Sequence, residues 1–308
     1  MNKEILDPKV DFVFKQIFGS ENNTDILIAF LNSVFKTKGT KDEIVKVKIE
    51  NPDIEKEWED DKYSRLDIKA RTNDNSRINI EIQLKNQHNM KRRTLYYWSK
   101  LYESQIKSGE PYNDLERTVT INILNFTYLQ ENNRYHNAYV LKEKETNEVL
   151  TDLEEIHFIE LTKFNEKQFK TVEDIERKRK EDELIPWALF LKNPNSEVMN
   201  MYKEKIKELK EAAVKLEVLS HDEETRELYE GRQKWIHDYV TNLEGTAREA
   251  REAGIKEGIK EGIKEGKRKR DIELVTKMLK RGMSVSEIIE LVNINKEKIN
   301  LIKEEIKH

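Results

Sequence analysis

Two acidic side chains, Asp67 and Glu81, lie in the stretch "RLDIKARTNDNSRINIEIQLK" at residues 65–85. Apolar and polar residues alternate on both sides of the polar segment "TNDNS", which predicts a β-hairpin. A register that brings the apolar faces together places Asp67 directly opposite Glu81. Directly opposite Cβ atoms are about 5 Å apart, so the two carboxylates would repel each other unless a cation lay between them. The same register predicts two further cross-strand pairs, Lys69 with Asn79 and Arg71 with Arg77.

The alternation alone permits two interpretations of this carboxylate pair. The first is the solvated face of an ordinary hairpin, because charged outer faces are common on proteins. The second is a site for Mg²⁺, which binds a few carboxylate oxygens together with waters and phosphate oxygens. An ion there could stabilise the charge on a phosphate under attack and lower the pKa of an attacking water. Gln83 projects from the same face as Glu81 and could orient that water or contact the phosphate.

The segments around the hairpin predict a mixed α/β layer over residues 1–163. Asp7 and Pro8 start a first helix that ends near Gly19, and a second helix follows. One strand precedes the hairpin, an amphipathic helix follows it up to Gly109, and three strand-like runs come next, "RTVTINILNFTYL", "YHNAYVLKEK" and "IHFIEL". Residues 164–245 have helical patterns, with "IPWALFLKNPNSE" as a linker or a buried corner.

The C-terminal residues 246–308 form a third predicted region, which begins with the exact repeat "GIKEGIKEGIKEG". Glycine at every fourth position weakens a helix by about 1 kcal/mol each, so this repeat predicts either a frayed linker or a helix built for close approach. Gly282 ends the next helix, and Ser284 with Glu287 forms a capping box. The terminal helices are compatible with a helix-turn-helix, or with a packing element that makes a homodimer.

Composition restricts the classes of function that the chain can have. It has 308 residues, of which 36% are apolar and 38% charged, and no cysteine. The lack of cysteine excludes disulfides, thiolate metal sites and a cysteine nucleophile. No apolar run approaches the roughly 20 residues of a membrane span, and no signal peptide is evident, so we expect a cytoplasmic location. The six histidines have no metal-ligand spacing.

Net charge gives only a weak indication of the partner. The chain carries a formal charge of −4, but from Gly245 onward 16 Lys and Arg residues stand against 12 Asp and Glu residues. A mildly basic tail on an acidic body permits contact with nucleic acid and does not require it.

Several segments in order resemble one family. "VDFVFKQIFG", "LDIKA" with "INIEIQ", "YYWSKLYESQIKSGEPY" and "TVTINILNF" together resemble the recombination-promoting nucleases, also described as PD-(D/E)XK nuclease family transposases. The resemblance covers about residues 7–163, and a glycine-rich repeat with a terminal helical segment is typical of the same family. It implies a restriction-endonuclease-like α/β fold, a mixed sheet flanked by helices and followed by an all-helical C-terminal region. It also implies Mg²⁺-dependent cleavage of DNA.

The resemblance assigns roles to individual residues. Asp67 corresponds to the aspartate of the core motif, and Glu81 to the acidic residue of (D/E)XK, so both are expected to bind the metal. Gln83 stands where lysine is usual, and a glutamine can serve neither as a charged phosphate anchor nor as a general base. Lys85 and Lys69 are candidates for the missing positive charge and for contact with DNA.

Asp11 matches the aspartate of the family's "DxxFK" segment and is a further candidate catalytic residue that would reach the metal site. The alternative is an ordinary aspartate on the helix surface or at a helix cap. Lys15 lies one turn later and is a suitable i,i+4 ion-pair partner for it.

A basic and aromatic cluster follows the hairpin, "KRRTLYY" at residues 91–97. Arg92 and Arg93 are candidates for holding DNA phosphates, and an aromatic ring there could stack on a base. The alternative is that Tyr97 and its helical neighbours belong to the core.

The expected function is therefore an Mg²⁺-dependent DNA endonuclease that promotes recombination or transposition-like DNA mobility. Two alternatives remain. One is a catalytically weak or inert protein that keeps the nuclease fold for DNA binding or assembly. The other is a defence or toxin-like nuclease with the same chemistry.

Overall fold

The computed structural model describes residues 4–50, 68–292 and 294–305. Asp67, half of the predicted carboxylate pair, lies outside the described residues. The strands are β1 Val47–Ile49, β2 Ile68–Thr72, β3 Arg77–Gln83, β4 Thr118–Leu124, β5 His136–Lys142 and β6 Val149–Glu160. The α-helices are α1 Asp11–Phe18, α2 Asp25–Phe35, α3 Met90–Glu103, α4 Val172–Arg179, α5 Ile185–Lys192, α6 Glu197–Tyr202, α7 Lys207–His221, α8 Glu223–Lys280, α9 Val285–Val292 and α10 Lys296–Glu305.

The strands form one mixed sheet in the order β1-β2-β3-β4-β6-β5. The β2–β3 hairpin is antiparallel, and its register pairs Lys69 with Asn79 and Arg71 with Arg77, as the sequence predicted. β3 and β4 are parallel, as are β4 and β6, while β5 returns antiparallel along the edge of β6. A mixed sheet core flanked by helices and followed by an all-helical C-terminal region is thus confirmed.

The two faces of the central strands differ in chemistry. Side chains of a strand alternate between the faces, and Ile78, Ile80 and Ile82 of β3 all point to one of them. That face carries the main hydrophobic core, which includes residues of α1, α2, α5 and α7. Helix α3 covers the other face, where Trp98 Nε1 donates to the carbonyl of Thr118 on β4 at 2.9 Å.

Two predicted boundaries shift for local reasons. The residues after Asp7 form a turn in which the Lys9 N–H donates to the Asp7 carboxylate, and α1 begins only at Asp11. β1 is limited to three residues. Oδ1 of Asn32 accepts the N–H of Ile44, and Nδ2 of Asn32 donates to the carbonyl of Ile44. The hydrogen-bonding groups of the Ile44 backbone are therefore satisfied by a side chain before β1 begins.

The segment predicted as a linker or a buried corner contains a helix, α5. Its residues are almost all buried, and Trp187 packs against Phe18 and Phe30 of the first two helices. A close approach between α1 and the sheet depends on Gly19, where an added Cβ would lie 2.9 Å from the Lys15 carbonyl oxygen and 3.2 Å from Cγ1 of Ile68. Helices α4 to α7 therefore share one core with the sheet.

The chain divides into two compact units, Met1–Lys234 and Trp235–His308. The predicted division at residues 163 and 245 stays a prediction. In the second unit, the repeat of residues 254–266 is helical and belongs to α8, whose glycine positions have open space around them. Ser284 and Glu287 form the predicted capping box. A small apolar cluster joins the last turns of α8 to α9 and α10.

None of the helices in the described part of the chain is long and apolar enough to cross a lipid bilayer.

Candidate active site

The polar residues of β3 are buried although they point away from the main core. Asn79, Glu81 and Gln83 alternate with the isoleucines, and each is less than one-tenth exposed, with Glu81 at 5%. A solvated hairpin face would leave a glutamate largely exposed. The exposed-face interpretation of Glu81 is therefore wrong, and a buried carboxylate needs a charged or hydrogen-bonding partner.

Arg93 of α3 is the partner of Glu81. Its Nε lies 3.2 Å from Oε2 of Glu81, and the guanidinium also lies over the ring of Tyr97, 5.0 Å from the ring centre. Nδ2 of Asn79 donates a longer hydrogen bond of 3.4 Å to Oε1 of Glu81. Arg93 itself is mostly buried, so the pair holds the Glu81 carboxylate in a defined orientation.

A second polar row lies beside this one on β4. Because β3 and β4 are parallel and in register, Glu81 neighbours Asn122 and Asn79 neighbours Thr120. The hydroxyl of Thr94 on α3 donates to Asn122 Oδ1 at 3.1 Å, and Asn122 Nδ2 donates to the carbonyl of His157 on β6. The polar face is therefore a hydrogen-bonded layer between the sheet and α3.

Two buried atoms of this layer have no hydrogen-bond partner among the described residues, Asn79 Oδ1 and Thr120 Oγ1. They belong to in-register neighbours, and Asn79 already contacts Glu81. Leaving a polar atom buried and unsatisfied costs about 1–3 kcal/mol. Such atoms are expected where a protein reserves oxygen ligands for a further group.

The donor set around Glu81 fits a hard divalent cation. It offers one carboxylate and the amide oxygens of Asn79 and Gln83, and Mg²⁺ prefers such oxygens with waters and phosphate completing its shell. No cluster of three or more acidic, histidine or cysteine side chains suited to a metal ion occurs within residues 4–50, 68–292 and 294–305. The second predicted carboxylate, that of Asp67, falls outside those ranges.

The other predicted DNA contacts lie at different depths. Lys69, Lys85 and Arg92 are exposed, and Lys69 is on the same face as Asn79 because the two residues pair directly. Arg93, predicted to hold a phosphate, contacts Glu81 instead of standing free. The side chains of these three cations are therefore accessible to solvent.

Asp11 takes part in an ion pair that the sequence did not indicate. Arg232 at the start of α8 donates to its carboxylate from both Nε, at 3.1 Å, and Nη2. Asp11 Oδ1 also accepts the N–H of Phe12. The expected partner, Lys15, is nearly completely buried in the same helix. A catalytic role for Asp11 stays a prediction, and its described contacts are structural.

Sequence reasoning missed Asn79, Asn122, Thr94 and Thr120 as members of this layer. One signal was present: in "TVTINIL" the residues Thr118, Thr120 and Asn122 recur with period two. Central strands are buried on both faces and usually have continuous apolar sequences. Polar residues at every second position of such a strand therefore indicate a polar layer on one of its faces.

The comparisons with known proteins agree with this architecture. The profile described as "PD-(D/E)XK nuclease family transposase" matches residues 8–246. The chain therefore belongs to the PD-(D/E)XK nuclease family transposases. No curated protein and no solved structure gives a significant match.

Proposed function

We propose that this protein is an Mg²⁺-dependent DNA endonuclease whose catalytic residues are Asp67, Glu81 and Gln83. The observation that carries the proposal is the buried Glu81 on a central strand of a nuclease-family sheet, surrounded by oxygen ligands and held by Arg93. The observed Lys69–Asn79 pair also matches the register from which the Asp67–Glu81 pair was predicted.

Asp67 and Glu81 would hold the metal through their carboxylates. When bound, Mg²⁺ supplies Lewis-acid stabilisation of the phosphate and a more acidic water. Glutamine at position 83 is neutral, so it positions a water or a phosphate oxygen by hydrogen bonding and takes up no proton. Arg93 provides fixed positive charge within 3.2 Å of Glu81, where the family's usual lysine is missing.

The exposed cations Lys69, Lys85 and Arg92 would bind the DNA backbone. Each phosphate contact of this kind makes affinity fall with salt, because binding releases counterions. Substituting Lys85 or Arg92 with glutamine should weaken binding to every DNA sequence alike and reduce the salt dependence. Unchanged salt dependence in both variants would exclude these residues as phosphate contacts.

The test of the nuclease is nicking of supercoiled plasmid in Mg²⁺ and in EDTA. The wild type should nick the plasmid in Mg²⁺ and not in EDTA. The variants Asp67→Asn and Glu81→Gln should each lose the nicking activity. Glu154→Gln is the matched control, because Glu154 is a buried glutamate on the same face of the sheet, at the start of the β4–β6 pairing. Equal nicking by wild type, Asp67→Asn and Glu81→Gln would contradict the assigned site.

One observation favours a second function, DNA binding or assembly without cleavage. Glu81 is already neutralised by Arg93, and Gln83 replaces a lysine. A protein of this kind would bind DNA equally in Mg²⁺ and EDTA and nick in neither. Glu81→Gln would then leave affinity unchanged, whereas Arg92→Gln would weaken it.

We further propose that the nuclease acts in transposition-like DNA mobility, which the word transposase in the family's description supports, or in recombination. Recombination between marked DNA repeats in cells should rise with the wild type and not with Glu81→Gln. Killing of the host without recombination would indicate the defence or toxin-like role instead. A cytoplasmic location stays a prediction from the sequence.

Self-association through α8 is part of the proposal. Ile255, Ile259 and Ile263 are each more than half exposed and recur every four residues beside the glycines. Such an apolar stripe on a charged helix is suited to a second copy of the same helix. Sedimentation should give a dimer for the wild type and a smaller species when the three isoleucines are changed to glutamine. An unchanged mass would exclude this contact.

A further inference from the structure

A cavity of about 500 Å³ lies against α3 on the same face of the sheet as Glu81. Its wall includes Lys91, Thr94, Leu95, Tyr128, Tyr139 and Phe158. We propose that this cavity binds one unpaired nucleobase of the DNA substrate. The inference rests on the proposed function, since it gives the nuclease a preference for DNA with an extruded or single-stranded base.

The walls have the chemistry that binds a base. Tyr128 and Tyr139 both pack against Phe158, with ring centres 5.9 and 6.1 Å apart. Aromatic rings bind any base by stacking, whatever its hydrogen-bonding edge. The volume is within the range of roughly 300–1,000 Å³ that is typical of small-ligand pockets. A base inside would exclude water from an apolar surface that is otherwise open.

Hydrogen bonds hold one wall of the pocket, the loop of Tyr128 and Leu129, in place. Glu160 is completely buried, and its Oε1 accepts the N–H groups of Tyr128 and Leu129 at 2.6 and 3.0 Å. Tyr128 Oη accepts the N–H of Lys91 at the start of α3, at 3.0 Å. The loop wall is thus tied to both the sheet and the helix, which limits the ordering cost of binding.

The pocket is connected to the candidate active site by the sheet itself. Glu81, Asn122 and Phe158 form one row across β3, β4 and β6. Neighbouring strands are about 4.8 Å apart, so the row spans about 10 Å, or roughly three base steps of a DNA strand at 3.4 Å each. Thr94, which lines the pocket, donates to Asn122. Asn122 is completely buried beneath Thr94, so a strand whose phosphate reaches Glu81 would have to pass the start of α3 to place a base in the cavity.

Charge at the rim favours this orientation of the strand. Lys91 and Arg92 are exposed at the start of α3, where they can contact backbone phosphates. Glu131 lines the cavity and disfavours a phosphate inside it, while it can accept a hydrogen bond from a base. Burial, together with the Glu160 and Glu131 carboxylates, raises the pKa of Tyr139. Its hydroxyl therefore stays protonated and can donate.

The test measures base capture without cleavage. A DNA hairpin with one unpaired 2-aminopurine is titrated with the full-length protein in EDTA, and a fully paired hairpin is titrated in parallel. Stacking in the pocket should quench 2-aminopurine fluorescence and make the unpaired hairpin bind about 5- to 100-fold more tightly. Tyr139→Ala should remove that preference. Tyr112→Ala is the matched control, because Tyr112 is 82% exposed and does not line the cavity.

Leu95→Glu provides a second variant, since Leu95 is half exposed at the rim of the cavity. Leu95 belongs to α3, so its substitution leaves β5, which contains Tyr139, unchanged. Loss of preference in both variants supports the pocket. Equal affinity for the two hairpins, or equal quenching by Tyr139→Ala and wild type, overturns it. A change in sedimentation mass with unaltered quenching would assign the cavity to a second protein copy and also overturn it. Base capture is measured in EDTA and does not depend on cleavage. If the protein captures the base but does not nick plasmid in Mg²⁺, only the proposed nuclease activity is refuted.

Discussion

The two faces of β3 show how one strand serves two purposes. Ile78, Ile80 and Ile82 lie in the main core, whereas Asn79, Glu81 and Gln83 lie under α3, and all six are buried. The apolar side chains stabilise the fold through removal from water. The polar side chains gain little from burial and must be matched by hydrogen bonds and an ion pair.

Within the seven residues of β3, the apolar side chains therefore serve stability and the polar side chains serve the chemistry of the site. The isoleucine side chains of β3 have no polar atoms to satisfy, while the polar face keeps two unsatisfied atoms, Asn79 Oδ1 and Thr120 Oγ1, within the described part of the chain. Proteins commonly accept reduced stability where a functional site needs polar groups. The comparison predicts that neighbouring substitutions on β3 affect different properties.

The largest expected contrast is between Ile80→Ala and Glu81→Gln. Ile80 is completely buried, so its truncation should cost about 2–5 kcal/mol of unfolding free energy. Nicking per folded molecule should be retained. Glu81→Gln should reduce nicking per folded molecule by about 100-fold or more, because the proposed metal ligand is lost. It should also destabilise the protein, because it takes the carboxylate partner from the buried Arg93. Denaturant titration and plasmid nicking measure the two effects. Parallel loss of both properties in both variants would break the comparison.

The ion pair on the apolar side gives the next effect. Asp11 and Arg232 are both mostly buried, and removing the arginine takes an ion-pair partner from the buried Asp11 carboxylate. Arg232→Met should lower the free energy of unfolding by about 3 kcal/mol. If Asp11 is structural, Asp11→Asn should destabilise to a similar extent and keep its nicking rate per folded molecule. A loss of nicking at unchanged stability would make Asp11 part of the site.

Acid should lower the stability of the protein through polar groups that β5 and β6 place at the edge of the apolar face. Burial and the neighbouring His157 lower the pKa of His136 to about 4. Burial tends to raise the pKa of Glu155, but His157 and Arg117 outweigh it and lower that pKa to about 2. The unfolded chain thus binds protons first, at about pH 6.5 for histidine and 4.5 for glutamate.

Stability should therefore fall as the pH drops, between pH 6.5 and 4 through His136 and between 4.5 and 2 through Glu155. The His136 contribution lost from pH 7 to 5 is at most about 2 kcal/mol. His136→Asn should flatten the curve in this range. His88→Asn is the control, because His88 is exposed. Identical curves for His136→Asn and wild type would contradict the assignment.

The smallest effect concerns an unsatisfied hydroxyl on the polar face. Thr120→Val removes Oγ1 without changing shape, so it should stabilise the protein by about 1 kcal/mol. Thr118→Val is the matched control, since the Thr118 hydroxyl accepts a hydrogen bond from Gln105 at 2.8 Å. Loss of this hydroxyl should therefore destabilise the protein. Thermal unfolding of both variants checks the sign. Destabilisation by Thr120→Val would mean that its hydroxyl has a partner.

The sequence predicted the fold better than the site because hydrophobic periodicity reports which face is apolar. The alternation in residues 77–83 gave the strand, its faces and its register. It could not indicate that α3 would cover the polar face, because this depends on packing between distant segments. Glu81 was therefore open to a solvated interpretation, and the Arg93 and Asn122 contacts were not foreseen.

The tail illustrates a similar limit. Glycine propensity favoured a frayed linker at residues 254–266 as much as a helix, but the repeat is helical within α8. Residues with good helix propensity, Lys and Glu, separate the glycines and compensate for part of their cost. Asp11 was read correctly as a member of the first helix, yet its partner is 221 residues away and no local pattern reports it.

The most direct measurement is to map the metal by iron-generated hydroxyl radicals. Fe²⁺ replaces Mg²⁺ on the DNA-bound protein, and ascorbate with peroxide then cleaves the polypeptide near the ion. The proposed site predicts cuts at β2 and β3, around residues 67–83, that excess Mg²⁺ suppresses and that Glu81→Gln abolishes. Cuts elsewhere, or cuts around residues 67–83 that persist in Glu81→Gln, would contradict the assignment of the polar face as the metal site.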